Sequence, residues 1–233
     1  MSVFDQESPS AGTDADTPAG VWAEMVRGNE RFVRGEPAHP RQDVDRRNQV
    51  ALQQDPHAAL FGCSDSRLAA EIIFDKGLGD LFVVRNAGQV ISESVVGSLE
   101  YAVGILGVKL IVVLGHDECG AVLAAIASQD PETPPLPPHI SHLVSKIVPA
   151  IEQVARESHA QTPDAPVNLA AADAQRVGRY HLRDTVAELL ETSEMISDAI
   201  AEGRLAIVGA NYRLAEGLVV PDIIVGPIDR ATA

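Results

Sequence analysis

Both cysteines of this sequence fall in two short polar clusters, Cys63-Ser64-Asp65-Ser66-Arg67 and His116-Asp117-Glu118-Cys119-Gly120. Together they supply two thiols and an imidazole, a donor set suited to zinc. Two sulfurs and one nitrogen leave a tetrahedral corner for water, substrate or a fourth side chain. That open corner separates a catalytic zinc site from a closed structural one. Structural sites bring paired C-x2-4-C arms, which are absent here. The two cysteines lie 56 positions apart, as suits a site assembled by the fold. Taken singly, each residue has a plainer reading. Cys63 would be a small apolar filler, His116 a hydrogen-bonded loop residue, and Asp65 with Arg67 a surface ion pair of little worth. No C-x-x-C supports a redox pair. The joint placement of the residues, not any one of them, favours a metal site.

Each cluster directly follows a short apolar run, Ala58–Cys63 in one case and Lys109–Gly115 in the other. Runs of this length suit buried parallel strands. Ligands of open α/β sheets bind beyond the carboxyl ends of such strands, and adjacent strands would bring the clusters together. Further strands are expected at Asp80–Arg85 and Leu205–Tyr212, with Leu218–Val225 at an edge. Helical spacing appears over Val21–Val33, Leu68–Phe74, Ser92–Leu106, from Cys119 through Ala127, and over Ile140–Glu157, where Pro149 marks a kink or break. Val177–Glu202 reads as one or two helices. Arg34–Arg47, with two prolines and dense charge, reads as an irregular connector, and Val50–Gln54 as a short helical turn. This alternation predicts a single α/β domain: a mostly parallel central sheet of four to five strands flanked by helices, with an N-terminal helical arm. Residues 1–17, acidic and rich in small polar types, are expected to be a disordered tail, and 18–233 the domain.

The chain has 233 residues, of which 45% are hydrophobic, and a formal net charge of −15. Such an acidic surface disfavours phosphate backbones and anionic membranes without excluding a local positive pocket. No apolar run approaches the ~20 residues that cross a bilayer, and the N-terminus lacks the basic start and apolar stretch of a secretory signal. Two cysteines are no disulfide framework. A cytoplasmic protein without nucleic-acid or membrane partners is expected.

The two clusters, CSDSR and HDECG, resemble the paired signature of the β-class carbonic anhydrases, Cys-x-Asp-x-Arg followed by His-x-x-Cys-Gly. The intervening DLFVVRNAG and SLEYAV are similar to the family's segments too, and the resemblance spans roughly Trp22 to Val225. It implies one zinc ion per subunit, held by Cys63, His116 and Cys119, with Asp65 and Arg67 as a catalytic dyad beside it. In some members the aspartate itself ligates the metal and closes the site, so Asp65 is also a candidate ligand. Such switchable members often have a glycine before the first cysteine, as Gly62 is here. Gln54, Phe82, Ala87, Tyr101 and Gly120 match positions around the substrate, Gln54 in the active site of the partner subunit. An inhibitory bicarbonate pocket of some members uses a Trp, an Arg and a Tyr. Arg85 and Tyr212 fit two of these places and Leu60 stands in the third, so that pocket is expected to be impaired.

The resemblance implies reversible hydration of carbon dioxide to bicarbonate and a proton by zinc-bound hydroxide, in a homodimer or homotetramer. Two thiolates make a weaker Lewis acid than three imidazoles would, so full activity is expected to need mildly alkaline pH. The alternatives are a related zinc hydrolase of carbonyl sulfide or carbon disulfide, a non-catalytic zinc or bicarbonate binder, and, last, a thiol redox protein. The remaining histidines, His39, His57, His139, His142, His159 and His181, are read as solvated or structural. Asp117 and Glu118 are read as a solvated turn, and Trp22 as the anchor of the N-terminal helix.

Overall fold

A computed structural model describes residues 16–161 and 166–229. All but the last two residues of the expected tail, and much of the loop expected at Gln161–Pro166, lie outside the described residues. Five strands form one sheet: β1 (Ala58–Cys63), β2 (Leu81–Asn86), β3 (Leu110–His116), β4 (Ala206–Arg213) and β5 (Leu218–Val225). Their order is β2-β1-β3-β4-β5, parallel except for the antiparallel β4–β5 pair. β1 and β3 are buried at every position, which is why they read as unbroken apolar runs rather than alternating ones.

Alternate residues of the central strands feed two apolar layers. On one face Ala58, Leu60, Leu110, Val112 and Leu114 pack with residues of α1 (Pro18–Arg34), α3 (Ala70–Ile73), α5 (Gly120–Ala127) and α7 (Val148–Gln161). On the other, Ala59, Phe61, Ile111 and Val113 pack with α4 (Glu93–Gly104), α8 (Ala174–Thr192) and α9 (Glu194–Ala201). α1 begins after Thr17, whose side chain caps the Gly20 N–H, and is anchored by the fully buried Trp22 and Met25. Gly28 permits its close approach to α3, since a Cβ there would meet the Phe74 carbonyl oxygen at 1.9 Å.

Two expectations need correction. Helix α2 (Val44–Gln49) occupies the stretch read as an irregular connector, started by the Asp43 side chain accepting from the Arg46 N–H. The helical turn expected at Val50–Gln54 is instead the irregular exit from α2. Pro149 makes a break: α6 (Pro138–Ser145) and α7 are separate, with the proline in the first turn of α7, where no N–H bond is lost. Ser193 closes α8 and caps α9, dividing the long helical segment in two.

Candidate metal centre

The order of strands decides where the site lies. The chain runs from β1 outward to β2, then returns past β1 to β3, so the crevice between the carboxyl ends of β1 and β3 is the topological switch point of the sheet. Cys63 ends β1, and His116 ends β3. Cys119 follows in the tight turn before α5, at its N-cap.

The potential ligand atoms of Cys63, His116 and Cys119 all lie within 4.8 Å of one another, and all three residues are buried. Donors sharing one tetrahedral zinc stand about 3.3–3.8 Å apart at ordinary bond lengths, so modest side-chain rotation closes the set. His116 offers the clearest test of fit. Its Nδ1 is 2.7 Å from the Asp117 carbonyl oxygen, which can only accept, so Nδ1 carries the hydrogen. Nε2 is then a bare lone pair, and it is buried without a hydrogen-bond partner. An orphaned acceptor beside two sulfurs is what a soft divalent cation would satisfy, and the carbonyl behind the ring is the usual orienting partner of a ligating histidine.

Left to themselves, the two sulfurs share one proton. The hydrogen bond from Cys119, with the Gly88 N–H on the same sulfur, brings the Cys63 thiol well below its ordinary range against the pull of burial. The same shared bond, with burial, pushes Cys119 up. A cation among them would deprotonate both. The first turn of α5 helps hold negative charge there, since the backbone N–H groups of Val122 and Ala121 act to lower the Cys119 thiol against its neighbours.

Asp65 lies just beyond, on the loop after β1. Its Oδ1 accepts from the Arg67 backbone N–H and Nε, both at 2.9 Å, and its Oδ2 from Nη2 at 2.7 Å. The guanidinium holds the Asp65 carboxyl well below the usual carboxylate range, overcoming partial burial. Arg67 Nη2 also donates to the Glu118 carbonyl at 3.2 Å, tying the two loops together. In this arrangement Asp65 faces Arg67, and the three-ligand cluster does not include it.

Of the remaining candidates, Ala87 and Gly120 border the cluster. Ala87 precedes Gly88, whose N–H donates to the Cys63 sulfur at 3.3 Å, and Gly120 follows Cys119. Phe82 and Tyr101 pair with each other, ring centroids 6.1 Å apart. Phe82 is in register with Ala59, four residues before Cys63, which is on the order of 13 Å down the strand. Gln54 precedes the opposite end of β1 and is exposed. One chain therefore does not bring Gln54, Phe82 or Tyr101 to its own cluster. A cavity of about 510 Å³ opens between the ends of β3 and β4 and α8, lined by His116, Cys119, Tyr212 and Arg179 among others, and Gln54, Phe82 and Tyr101 do not contribute to it.

Several roles were hidden in the sequence. Arg85, read for a bicarbonate pocket, donates from Nε to the Cys63 carbonyl (2.9 Å) and from Nη2 to the Asp65 carbonyl (2.6 Å), bracing the loop that carries both side chains. Leu60 is buried in the core. Asp117 is not a solvated turn residue: it accepts from the Leu214 N–H at 2.9 Å and so fixes the turn against the β4 end. His181 is buried against the Gly88 loop. No local pattern announces these contacts, because each joins segments distant in sequence.

A family model described as carbonic anhydrase matches residues 58–219. The chain is 47% identical over 203 residues to carbonic anhydrase 2 of Mycobacterium tuberculosis, covering 87% of this chain and 92% of that one. It is 45% identical over 202 residues to a carbonic anhydrase of Mycolicibacterium smegmatis, with the same coverages. Among solved structures, the Coccomyxa β-carbonic anhydrase in complex with acetazolamide superposes with a TM-score of 0.59 at 27% identity, covering 75% of each chain. A tetrameric β-carbonic anhydrase of Sordaria macrospora gives 0.58 at 27%, covering 75% of this chain and 84% of that one.

Proposed function

The chain belongs to the β-carbonic anhydrase family, and from that premise we propose that it interconverts carbon dioxide with bicarbonate and a proton at a zinc centre held by Cys63, His116 and Cys119. The observation that carries this reading is the bare, buried Nε2 of His116 beside two sulfurs, with an ionised carboxylate fixed at the next loop. Bound there, zinc supplies Lewis acidity that lowers the pKa of a water at its open corner.

The protein's own groups do the rest. Asp65 is kept ionised by Arg67, so it can accept a hydrogen bond but not donate one. A nucleophilic oxygen whose hydrogen points at Asp65 must direct a lone pair elsewhere, toward the carbon of the substrate. Because Arg67 engages both carboxylate oxygens, it would keep Asp65 off a bound metal and leave the fourth position to water. Closure of the site by Asp65 as a fourth ligand would require that pair to break. Gly120, at the positive end of α5, and Ala87 border the place where charge develops on the product. Carbon dioxide is apolar and needs little more than a greasy recess.

That recess, with Gln54, is completed by a second copy of the chain. Gln54, Phe82 and Tyr101 lie away from their own cluster, and β2 is an edge strand with a single neighbour. Beside it, α4 exposes Tyr101, its C-cap Ile105 is exposed as well, and Leu52 stands almost fully exposed near Gln54. An unpaired strand edge flanked by exposed apolar side chains is a surface that association would cover. We therefore assign a homodimer as the minimal unit, with pairs of dimers giving a tetramer, in the cytoplasm. Among the described residues no helix is long and apolar enough to cross a membrane.

Stopped-flow hydration of carbon dioxide across pH 6 to 9, with zinc measured on the same sample, tests the reading. Activity proportional to bound zinc is expected, with the rate still rising above pH 7. Parallel assays with carbonyl sulfide and carbon disulfide should give little turnover. Preference for either sulfur compound, or full activity without metal, would overturn it.

A further inference from the structure

His181 is a buried titratable group with no part in the chemistry above, yet it reaches the site. It sits in the middle of α8, and its Nε2 is 2.7 Å from the Gly88 carbonyl oxygen. The carbonyl can only accept, so Nε2 carries the hydrogen. Burial pushes the imidazole pKa down, which keeps the ring neutral as an Nε2–H donor.

Gly88 is also the residue whose backbone N–H lies 3.3 Å from the Cys63 sulfur. Its φ is +77°, and a Cβ there would stand 2.8 Å from the Cβ of Ala121, so the turn has no side chain of its own to lock it. It is held from outside instead. Asn86 exchanges two hydrogen bonds with the Val90 backbone across the base of the turn. From the other side, His181 holds its apex, and the Thr185 hydroxyl donates to the His181 carbonyl one helical turn back.

We propose that His181 is a positioning residue for the metal centre: by holding the Gly88 carbonyl, it fixes the N–H of the same residue on the Cys63 sulfur and so sets how strongly that thiolate donates to the metal. An N–H aimed at a thiolate draws charge from it and fixes its direction, as the outer partners of metal ligands do in general. This inference rests on the reading of Cys63, His116 and Cys119 as zinc ligands.

The test compares His181→Leu, which removes the donor, with His181→Gln, whose terminal amide N–H reaches where Nε2–H does. Zinc affinity is read by competition with a chromophoric chelator. The near-ultraviolet sulfur-to-metal charge-transfer band is read on the cobalt-substituted full chain, and folding is checked by circular dichroism. His181→Leu is expected to weaken zinc binding about 10- to 100-fold and to move the cobalt band to longer wavelength, because the sulfur loses a stabilising donor. His181→Gln is expected to stay within about threefold of the unsubstituted protein, with its band in place. Should the leucine variant not fold, His181→Asn, too short to reach the carbonyl, takes its place with the same expectation. Wild-type affinity and band in the donor-free variant overturn the proposal, as does a glutamine variant no better than it. An unsubstituted protein that takes up neither zinc nor cobalt overturns the metal-site reading instead.

Discussion

Truncating Arg67 to alanine removes two of the three hydrogen bonds that fix the Asp65 carboxylate, those from Nε to Oδ1 and from Nη2 to Oδ2. The Arg67 backbone N–H on Oδ1 survives the change. It holds one oxygen by its distance but leaves the carboxylate free to rotate about it. The tie from Nη2 to the Glu118 carbonyl goes as well, so the loops after β1 and β3 lose a direct link. The arginine side chain is half exposed, and ion pairs of that kind add little to folding. The melting temperature should therefore change by no more than about 3 °C.

Activity should respond differently. Loss of one preorganised polar group that acts on the transition state costs about 10²- to 10³-fold in kcat. With one backbone bond left, a fall of about 10²-fold is expected. KM for carbon dioxide should hold, since the guanidinium recognises no part of an apolar substrate. Arg67→Lys presents a point charge that can meet one carboxylate oxygen but not both, so a fall of about 10-fold is expected. Stopped-flow hydration with zinc measured on each sample separates these effects from metal loss. The orienting role is refuted if Arg67→Ala, fully loaded with zinc, stays within threefold of the unsubstituted rate. It is equally refuted if the rate falls only in proportion to the zinc lost.

Dialysis against a strong zinc chelator should abolish hydration, and added zinc should restore it in proportion to metal bound. Gly28→Ala should destabilise the fold by about 3 kcal/mol or more in urea unfolding, because its Cβ would overlap the Phe74 carbonyl oxygen and force α1 off α3. Acid should unfold the protein through Asp75 and Asp80. Burial alone would raise both carboxyls, but the Ala38 and His39 N–H groups with Arg31 lower Asp75, and Arg41 with the Gly77 N–H lowers Asp80. Their folded-state pKa values lie below the unfolded ones, so their contribution is complete above the ordinary carboxylate range and is lost as pH falls through it. A far-ultraviolet titration should show the loss beginning below about pH 4, and Asp80→Asn should unfold at higher pH than Asp43→Asn, which alters an exposed cap. Ile105→Glu should give a monomer in sedimentation and a loss of turnover with zinc retained, since it charges the exposed end of α4 at its C-cap, beside the open edge.

The parts of the site readable from sequence were those in which neighbours in the chain are also neighbours in space. CSDSR places a thiol, a carboxylate and a guanidinium within five residues, and HDECG places an imidazole three residues from a thiol. The buried strands before them announced themselves as unbroken apolar runs. Strand order was not readable, because parallel strands pair through connections whose length does not say which neighbour they reach. Helix α2 was missed because its six residues bury nothing, so there is no apolar stripe to detect, and only the Asp43 cap marks its start. His181 reads as one more solvated or structural histidine for a related reason. Its partner, Gly88, lies 93 positions away, and a buried histidine on a helix looks the same in sequence whether or not it supports anything.

Strand order also explains why the site needs so few residues of its own. At the switch point the loops after β1 and β3 leave in opposite directions, opening a crevice that neither neighbouring crossover covers. Cys63 and His116 are fixed there by the sheet, Cys119 by the start of α5, and the Asp65 loop by Arg85 and Arg67. These are rigid supports for the polar half of the reaction. The apolar half is not built beside them: Phe82 and Tyr101 lie down the sheet, at an edge that one chain leaves open. On the proposed function, a chain that holds its ligands tightly and leaves its apolar residues out of their reach would divide the active site between copies. On that division, monomeric protein should keep its zinc and lose its turnover, which is the pair of readings the Ile105→Glu variant reports together.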